Sequence, residues 1–311
     1  MSLSWNVQAN DKKYRAGNRS DAIIIPSAVI NYVRPDLESK GSSAGPADIW
    51  NPDKGFLVQS IDFESIHPES YSLNFPTTGA HNLYFDLLIS GVDINELTWE
   101  PVTHEGITAT VTNVVANDKN EDIPDEDKGQ VVARVKLTGP EARNQWDNPH
   151  PNPIAKPQLP QTFELVGRDI NTGDEVVKYG FVLKQWFVNR GSRSKTYSDQ
   201  LAWCNSLGYR MPRVRDLTNA VCSGVFSGSH CQGAVGATPS SSDNHYKRHI
   251  GAGFFTEWGY VRKSYTDSGF VYISYWTSDA TGSNQFLVHS HTGSVRSIAG
   301  HHPLFCLCTA P

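Results

Sequence analysis

The stretch SKTYSDQLAWCNSLGYRMPRVRDL, residues 194–217, separates two parts of the chain that follow different patterns. It predicts a helix that begins after a Ser or Thr and ends at a glycine, followed by a second helix that begins after Pro212. In the first predicted helix, helical spacing places on one face Tyr197, Leu201, Cys204 and Gly208. One face of the second would carry Val214, Leu217 and Val221.

The rest of this second part predicts strands around a long loop. YGFVLKQWFVN (179–189) is strand-like and comes before the helices, whereas residues 223–253 are rich in Gly and Ser and predict a loop. Further strands are predicted at FFTEWGYVRKSY (254–265), GFVYISYWTS (269–278), NQFLVHS (284–290) and PLFCLC (303–308). This order of elements predicts an α+β domain over residues 179–311.

The first part of the chain predicts an all-β domain. Short apolar runs alternate with polar residues, as in GITATVTNVVA (106–116), and no convincing amphipathic helix precedes residue 190. TFELVGRDINTGDEVVKYGFVL (162–183) predicts a hairpin that turns at Asn171, Thr172 and Gly173. We therefore expect an immunoglobulin-like sandwich over residues 1–178, in which residues 1–20 form a tail.

Charge and cysteine content also divide the chain. Residues 1–178 carry a net charge of −11 and residues 179–311 a net charge of +6. The Lys and Arg of the basic part are scattered and match no nucleic-acid-binding motif. Their positive charge is still compatible with binding to an acidic partner protein. All five cysteines lie in the last 108 residues without a CxxC pair, which indicates disulfides, an oxidising compartment and one thiol left over.

Other function classes find little support in the sequence. No apolar run approaches the length of a membrane span. The signatures of serine hydrolases, zinc proteases, nucleoside triphosphatases and dinucleotide-binding enzymes are absent. Cys204 lies on the buried stripe of its helix, where thiols are inert, so we expect no catalysis and no cofactor.

Several motifs carry a resemblance to a known family. AWCNSLGYRMPRVRDL (202–217), GAGFFTEWGY (251–260), YWTSDATGSNQFLV (275–288) and FCLCTAP (305–311) resemble the C-type-lectin-like domain of the intimin/invasin adhesins. WNPDKGF (50–56), FPTTGAHNLYFDL (75–87) and LTWEPVTHEGITATV (97–111) resemble the β-sandwich that precedes it. The resemblance covers roughly residues 45–311.

The resemblance implies a function in cell adhesion. It predicts the tip of an adhesin on the bacterial surface, anchored in the outer membrane by a β-barrel that lies outside this sequence. Such a tip would bind a host or bacterial receptor, either a cell-surface protein or a glycan, without catalysis. A protein–protein surface is the first hypothesis, and a calcium-independent glycan-binding lectin is the alternative.

The resemblance also implies a disulfide between the first helix and the last strand. Cys204 would supply the first sulfur and Cys308 or Cys306 the second; these two lie on the same face of one strand, and we favour Cys308. Cys222 and Cys231 would then close a small loop.

Calcium-dependent lectins of this fold hold calcium with carboxylates and amides, and this set is incomplete here. The strand reads Trp-Thr-Ser-Asp from Trp276 to Asp279, and no acidic-Pro loop precedes it. We expect Trp276 in the core and Asp279 as the cap of the following turn.

Two further metal motifs are incomplete. Asp118, Asn120 and Asp122 have the spacing of an EF-hand, but Ile123 and Gly129 replace the required Gly and Glu. The pairs His289/His291 and His301/His302 have no identifiable third ligand. We therefore predict no metal site.

The predicted receptor-binding surface combines aromatic and basic residues, the types that dominate protein interfaces. Its members are Tyr246, Arg248, Trp258, Tyr260, Arg262, Lys263 and Tyr265. A wider set adds Lys247, Phe254, Phe255 and Tyr272.

Overall fold

Strands dominate the first half of the chain. The computed structural model describes residues 28–37, 43–59, 68–116 and 123–310, so the predicted tail at residues 1–20 lies outside the described residues. The strands are β1 (Val29–Arg34), β2 (Trp50–Asn51), β3 (Gly55–Leu57), β4 (Thr78–Ala80), β5 (Tyr84–Ser90), β6 (Leu97–Trp99), β7 (Val102–His104), β8 (Ile107–Val115), β9 (Val131–Thr138), β10 (Gln161–Asp169) and β11 (Glu175–Leu183).

Alternation along these strands gives each sheet an inner face. On β8, Ile107, Ala109 and Val111 are at most 7% exposed, while the threonines between them face outward. One sheet has the order β2-β3-β1-β5-β9-β8-β7 and the other β11-β10-β6, with antiparallel neighbours in both.

Aromatic side chains pack the two sheets against each other. Phe85 on β5 meets Phe181 on β11 edge-to-face, with ring centroids 6.0 Å apart. Phe163 on β10 stacks on Phe181 at 5.1 Å, and all three side chains are fully buried. The predicted all-β arrangement of the first half is thereby confirmed as two packed sheets.

The hairpin between β10 and β11 forms where the sequence predicted it, with Gly173 in the left-handed region at φ +78°. Strand β11 continues to Leu183, so the expected domain boundary near Lys178 falls inside a strand. Strand β4 of the first half also pairs in parallel with β12 (Gln185–Asn189) of the second. The division into two domains stays a prediction.

The second half combines short helices with two small sheets. The helices are α1 (Tyr197–Ser206), α2 (Val214–Leu217), α3 (Phe254–Trp258) and α4 (Val261–Ser264). The further strands are β13 (Ser274–Thr281), β14 (Asn284–His289), β15 (Val295–Ala299) and β16 (Leu307–Ala310). The sheets have the orders β16-β12-β4 and β13-β14-β15.

Short 3₁₀ turns complete the structure. Within the described residues before residue 190 they are the sole helical elements, as the sequence predicted, and no described helix has the length and apolar character that a bilayer crossing requires. They span Pro68–Leu73, Ile94–Glu96, Asp125–Asp127, Arg143–Gln145, Ser229–Cys231 and Thr266–Ser268.

The first predicted helix is confirmed, and the second is shorter than expected. The hydroxyl of Thr196 caps α1 by accepting from the Asp199 N–H at 3.3 Å, and Gly208 follows the helix at φ +82°. Helix α2 ends at Leu217, so Val221 does not extend its buried face. Thr218 has an extended backbone (φ −151°, ψ 152°), which ends the helix, and its carbonyl accepts from the Ala237 N–H.

Residues 254–265 form α3 and α4, and the predicted strand there is wrong. Phe254, Phe255, Trp258 and Val261 are all fully buried, and all five residues of α3 lie in the interior, so this helix has no exposed face. Gly259, at φ +69°, separates the two helices.

A buried carboxylate joins α3 to the first half. Glu257 accepts hydrogen bonds from Thr77 N at 3.0 Å, Thr78 N at 2.9 Å and Gly251 N at 2.8 Å, and also from both threonine hydroxyls. Burial raises the pKa of Glu257, and these donors act against that rise. The carboxylate therefore ties β4 to α3.

The cysteines form the favoured one of the two pairings that the resemblance left open. Cys204 on α1 is bonded to Cys308 on β16, and Cys222 is bonded to Cys231. Cys306 is the free thiol and is buried, which raises its pKa to about 12. A thiol with so high a pKa is almost entirely protonated and unreactive at neutral pH.

Candidate functional site

Most of the residues predicted to contact a receptor are buried. Tyr246, Arg248, Trp258 and Tyr265 expose 2% of their surface or less. The prediction is therefore wrong for these four residues, because a receptor cannot reach them in this fold.

Three of these side chains, Arg248, Trp258 and Tyr265, are buried where they join the two halves of the chain, while Tyr246 packs within the second half beside Gly293. The Trp258 ring meets Phe75 with centroids 4.8 Å apart, and its Nε1 donates to the carbonyl oxygen of Thr78 at 2.9 Å. The guanidinium of Arg248 lies 4.4 Å from the centre of the Trp50 ring, a cation–π contact. The mixture of aromatic and basic residues that predicted a binding surface belongs here to an internal contact.

The other three predicted residues remain accessible. Arg262 and Lys263 are exposed on α4, and Tyr260, just before that helix, is half-buried. The structure places Tyr260 beside Tyr272, which belongs to the wider set and is 43% exposed. A receptor contact by these residues stays a prediction.

Four rings form a cluster that we call the aromatic–histidine patch: Tyr260, Tyr272, His289 and His291. The ring centroid of Tyr260 is 5.2 Å from that of Tyr272 and 4.5 Å from that of His291. Tyr272 and His289 meet edge-to-face at 5.2 Å. The turn after β14 positions both histidines, since the His291 N–H donates to His289 Nδ1 at 3.3 Å.

The histidines of the patch favour their neutral form. Burial lowers the pKa of His289, and the positive charges of His291 and Arg296 lower it further. Burial also lowers the pKa of His291, with additional contributions from His245 and Lys263. At neutral pH the patch therefore presents aromatic rings and uncharged imidazoles.

A groove of about 350 Å³ borders the patch. Phe226 and Tyr272 both line the groove, together with Leu287, His289 and Arg296. Ser274, Thr292 and Ser294 add hydroxyl groups. The arrangement can pack an apolar group between rings and hydrogen-bond a polar or negatively charged group beside it.

Phe226 is held in an unusual conformation at the rim of this groove. Its φ is +62°, a left-handed value that is rare for a bulky residue, and 55% of its surface is exposed. We call residues 222–231, closed by the Cys222–Cys231 bond, the disulfide loop. The Phe226 carbonyl accepts from Asn244 Nδ2 at 2.9 Å and from His230 Nε2 at 3.1 Å. Backbone strain that is fixed in this way often marks a functional position.

Phe226 is not among the binding residues predicted from the sequence. A signal was present, because the apolar pair Val225 and Phe226 lies between Gly224 and Gly228 inside a ten-residue loop flanked by cysteines. Apolar residues in such a loop have little core to enter, and both are more than half exposed.

The structure confirms the prediction for Trp276 and corrects that for Asp279. Trp276 is fully buried, and its ring meets that of Tyr197 at 5.8 Å. Asp279 lies within β13, and its Oδ2 accepts from the Val214 N–H at 2.8 Å. It therefore caps the start of α2 and does not cap the turn after its own strand.

Few side chains in the described residues are grouped so that they could hold a metal ion. Asp118, Asn120 and Asp122 lie outside the described residues, whereas Ile123 is buried at 7% exposure. Within the part of the chain that the structure describes, Cys204, Cys306 and Cys308 are the sole group of three or more potential metal ligands whose atoms lie within reach of one ion. Two of these sulfurs form a disulfide, which leaves them unable to act as thiolate ligands.

Comparison with known proteins gives one match in sequence. No protein-family model matches the chain. The chain is 31% identical, over 140 residues, to the inverse autotransporter adhesin YeeJ of Escherichia coli K12. The match covers 42% of this chain and 5% of YeeJ, so it spans about one-twentieth of the length of this curated relative.

Solved structures show what the fold resembles. The crystal structure of invasin, a bacterial integrin-binding protein, aligns with 91% of this chain and 39% of the invasin chain, with a TM-score of 0.51 and 13% identity. A C-terminal intimin fragment in complex with the translocated intimin receptor aligns with 91% of this chain and 66% of its own, with a TM-score of 0.46 and 10% identity. The sequence match to an adhesin and the fold shared with invasin confirm the predicted resemblance of this chain to the intimin/invasin adhesins.

Proposed function

We propose that this chain is the binding head of an adhesin on the bacterial surface, held at the outer membrane by another part of the protein. Its second half would bind a protein receptor on a host or bacterial cell, without a chemical step. The similarity to YeeJ and the invasin-like fold support the adhesin class. The groove lined by Phe226 and Tyr272 is the surface that we assign to the receptor.

The observation that carries this proposal is the presentation of Phe226. A disulfide, two hydrogen bonds to its carbonyl and a left-handed backbone hold an exposed aromatic ring beside a groove. A rigid aromatic side chain loses little conformational entropy on binding, so it suits a receptor anchor. Val225, 60% exposed on the same loop, enlarges the apolar surface.

One observation supports a second candidate, a calcium-independent lectin. Tyr272 exposes 43% of its surface at a groove that also carries hydroxyl groups, and about 350 Å³ lies within the range of small-ligand sites. An aromatic face beside hydroxyl groups can hold a sugar ring. The protein receptor ranks first because Phe226 and Val225 offer a sugar little to hydrogen-bond.

The test is binding of the purified 311-residue chain to cultured epithelial cells, with and without EDTA. We expect saturable binding that EDTA leaves unchanged and that Phe226→Ala weakens about ten-fold or more. Ile170→Ala is the matched control, because Ile170 is 63% exposed on the β10–β11 hairpin, far from the groove in sequence.

Two results would contradict the proposal: no saturable binding to cells or bacteria, or equal binding by Phe226→Ala and Ile170→Ala. A glycan array separates the two candidates. Binding to a defined sugar that Tyr272→Ala abolishes would favour the lectin.

A further inference from the structure

One exposed cation, Arg296, lines the groove. No ion pair to Arg296 is present in the described part of the chain. Lys263 is exposed on α4, the helix that follows Tyr260 of the patch. The eight described residues that line the groove include no acid. A ligand that enters this groove therefore meets the guanidinium of Arg296 and no carboxylate among the lining residues.

Most acidic side chains of the second half form ion pairs or hydrogen bonds with groups that do not line the groove. Asp216 pairs with Arg210 at 2.6 Å, and Glu257 is buried against the first half. Asp279 caps α2, and Asp199 bonds to the cap of α1. Asp243 is the acid nearest to the disulfide loop: it lies beside Gly224 but does not line the groove.

Apolar surface lies directly beside this charge. Val225 and Phe226 are more than half exposed, and Ile273, next to Tyr272, is 38% exposed. A carboxylated sugar could pair with Arg296 but would leave this apolar surface uncovered. An acidic peptide that also carries apolar side chains would use both features.

Building on the proposed receptor function, we infer that the partner presents an acidic peptide segment to this groove. A carboxylate of that segment pairs with Arg296, and a neighbouring apolar or aromatic side chain packs between Phe226 and Tyr272. Lys263 and Arg262 attract further acidic residues of the segment. The charge sets the partner class and the rate of encounter, and the apolar contact sets the lifetime of the complex.

The experiment measures binding of the whole chain to three immobilised probes: a glutamate–tyrosine copolymer, a lysine–tyrosine copolymer and polygalacturonate. We expect saturable binding to the glutamate–tyrosine copolymer alone, weakening several-fold as salt rises from about 50 to about 200 mM. Arg296→Gln weakens this binding about three-fold. Lys156→Gln removes an equal charge from an exposed site in the first half and leaves the binding unchanged.

Each contrary outcome has a distinct meaning. Binding to polygalacturonate instead would assign an anionic sugar, and binding to both copolymers would show a nonspecific surface; either overturns the inference. If the chain forms a dimer in solution and Arg296→Gln dissociates it, the partner is a second copy of this chain, whose first half is acidic. That result would also overturn the inference. If Phe226→Ala abolishes cell binding while Arg296→Gln does not and no copolymer binds, the proposed function stands and the acidic partner is excluded.

Discussion

The side-chain amide of Asn244 donates to the carbonyl oxygen of Phe226 at 2.9 Å and to that of Val295 at 3.0 Å. Its Oδ1 accepts from the Val295 N–H at 2.8 Å, and Asn244 is fully buried. One side chain thus fastens the strained residue of the disulfide loop to strand β15. Because β15 continues into Arg296, the same contact fixes the backbone of Phe226 relative to that of Arg296.

Phe226→Gly is expected to separate stability from binding. Glycine adopts φ +62° without strain, so the free energy of unfolding should stay within about 1 kcal/mol of the parent or rise. Binding to cells should fall about ten-fold or more, because the aromatic anchor is lost. Urea unfolding and cell binding measure the two quantities. Ser227→Gly is the control, since its φ is not in the left-handed region. A large loss of stability in Phe226→Gly would show that the ring is structural.

Removal of the Cys222–Cys231 bond should weaken both stability and binding. The loop-entropy relation gives a loss of about 2–3 kcal/mol for so short a loop, and the freed loop no longer holds Phe226 at the groove. The variant is Cys222→Ser with Cys231→Ser, measured by urea unfolding and cell binding. Cys306→Ala keeps both disulfides and should retain binding. Full binding by the double variant would show that the loop need not be fixed.

Glu257→Gln should loosen the contact between the two halves. The carboxylate accepts from three N–H groups and two hydroxyls, and an amide replaces one acceptor oxygen with a donor that faces them. We expect the free energy of unfolding to fall by about 3 kcal/mol, since buried donors lose a charged partner. Urea unfolding measures the loss, with the exposed Glu100→Gln as control. Equal stability of the two variants would contradict the role of Glu257.

The histidines predict a loss of stability in acid. The pKa values of His289 and His291 are lowered from 6.5 in the folded chain by burial and by the charges of His245, Lys263 and Arg296. The unfolded chain therefore binds protons first as the pH falls below 6.5, and the free energy of unfolding decreases until the folded histidines also protonate.

This prediction is checked by comparing the melting temperature of the chain at a pH of about 7.5 with that at a pH of about 5. His289→Gln combined with His291→Gln should reduce the difference between the two values, whereas the exposed His150→Gln should not. An unchanged difference in the double variant would show that these histidines do not set the pH dependence.

Local patterns in the sequence predicted much of the secondary structure. The alternation on β8, the hairpin at Gly173 and the capped helix α1 depend on residues close together in the chain, so spacing alone indicates them. The prediction was wrong at residues 254–265, where aromatic and β-branched residues suggested a strand. There the burial of all of α3, and of Val261 on α4, outweighed strand propensity.

The sequence by itself determined the strand-rich first half, the helix α1, the burial of Trp276 and, through resemblance, the Cys222–Cys231 bond and the adhesin class. It favoured Cys308 over Cys306 as the partner of Cys204, and the structure decided between them. Only the tertiary structure decided which aromatic and basic residues are accessible. Trp258 is buried because Thr78, 180 positions earlier, lies against it, while Phe226 and Tyr272, 46 positions apart, line one groove. Exposure is set by contacts between residues distant in the chain, and residue type and local spacing carry no record of those contacts.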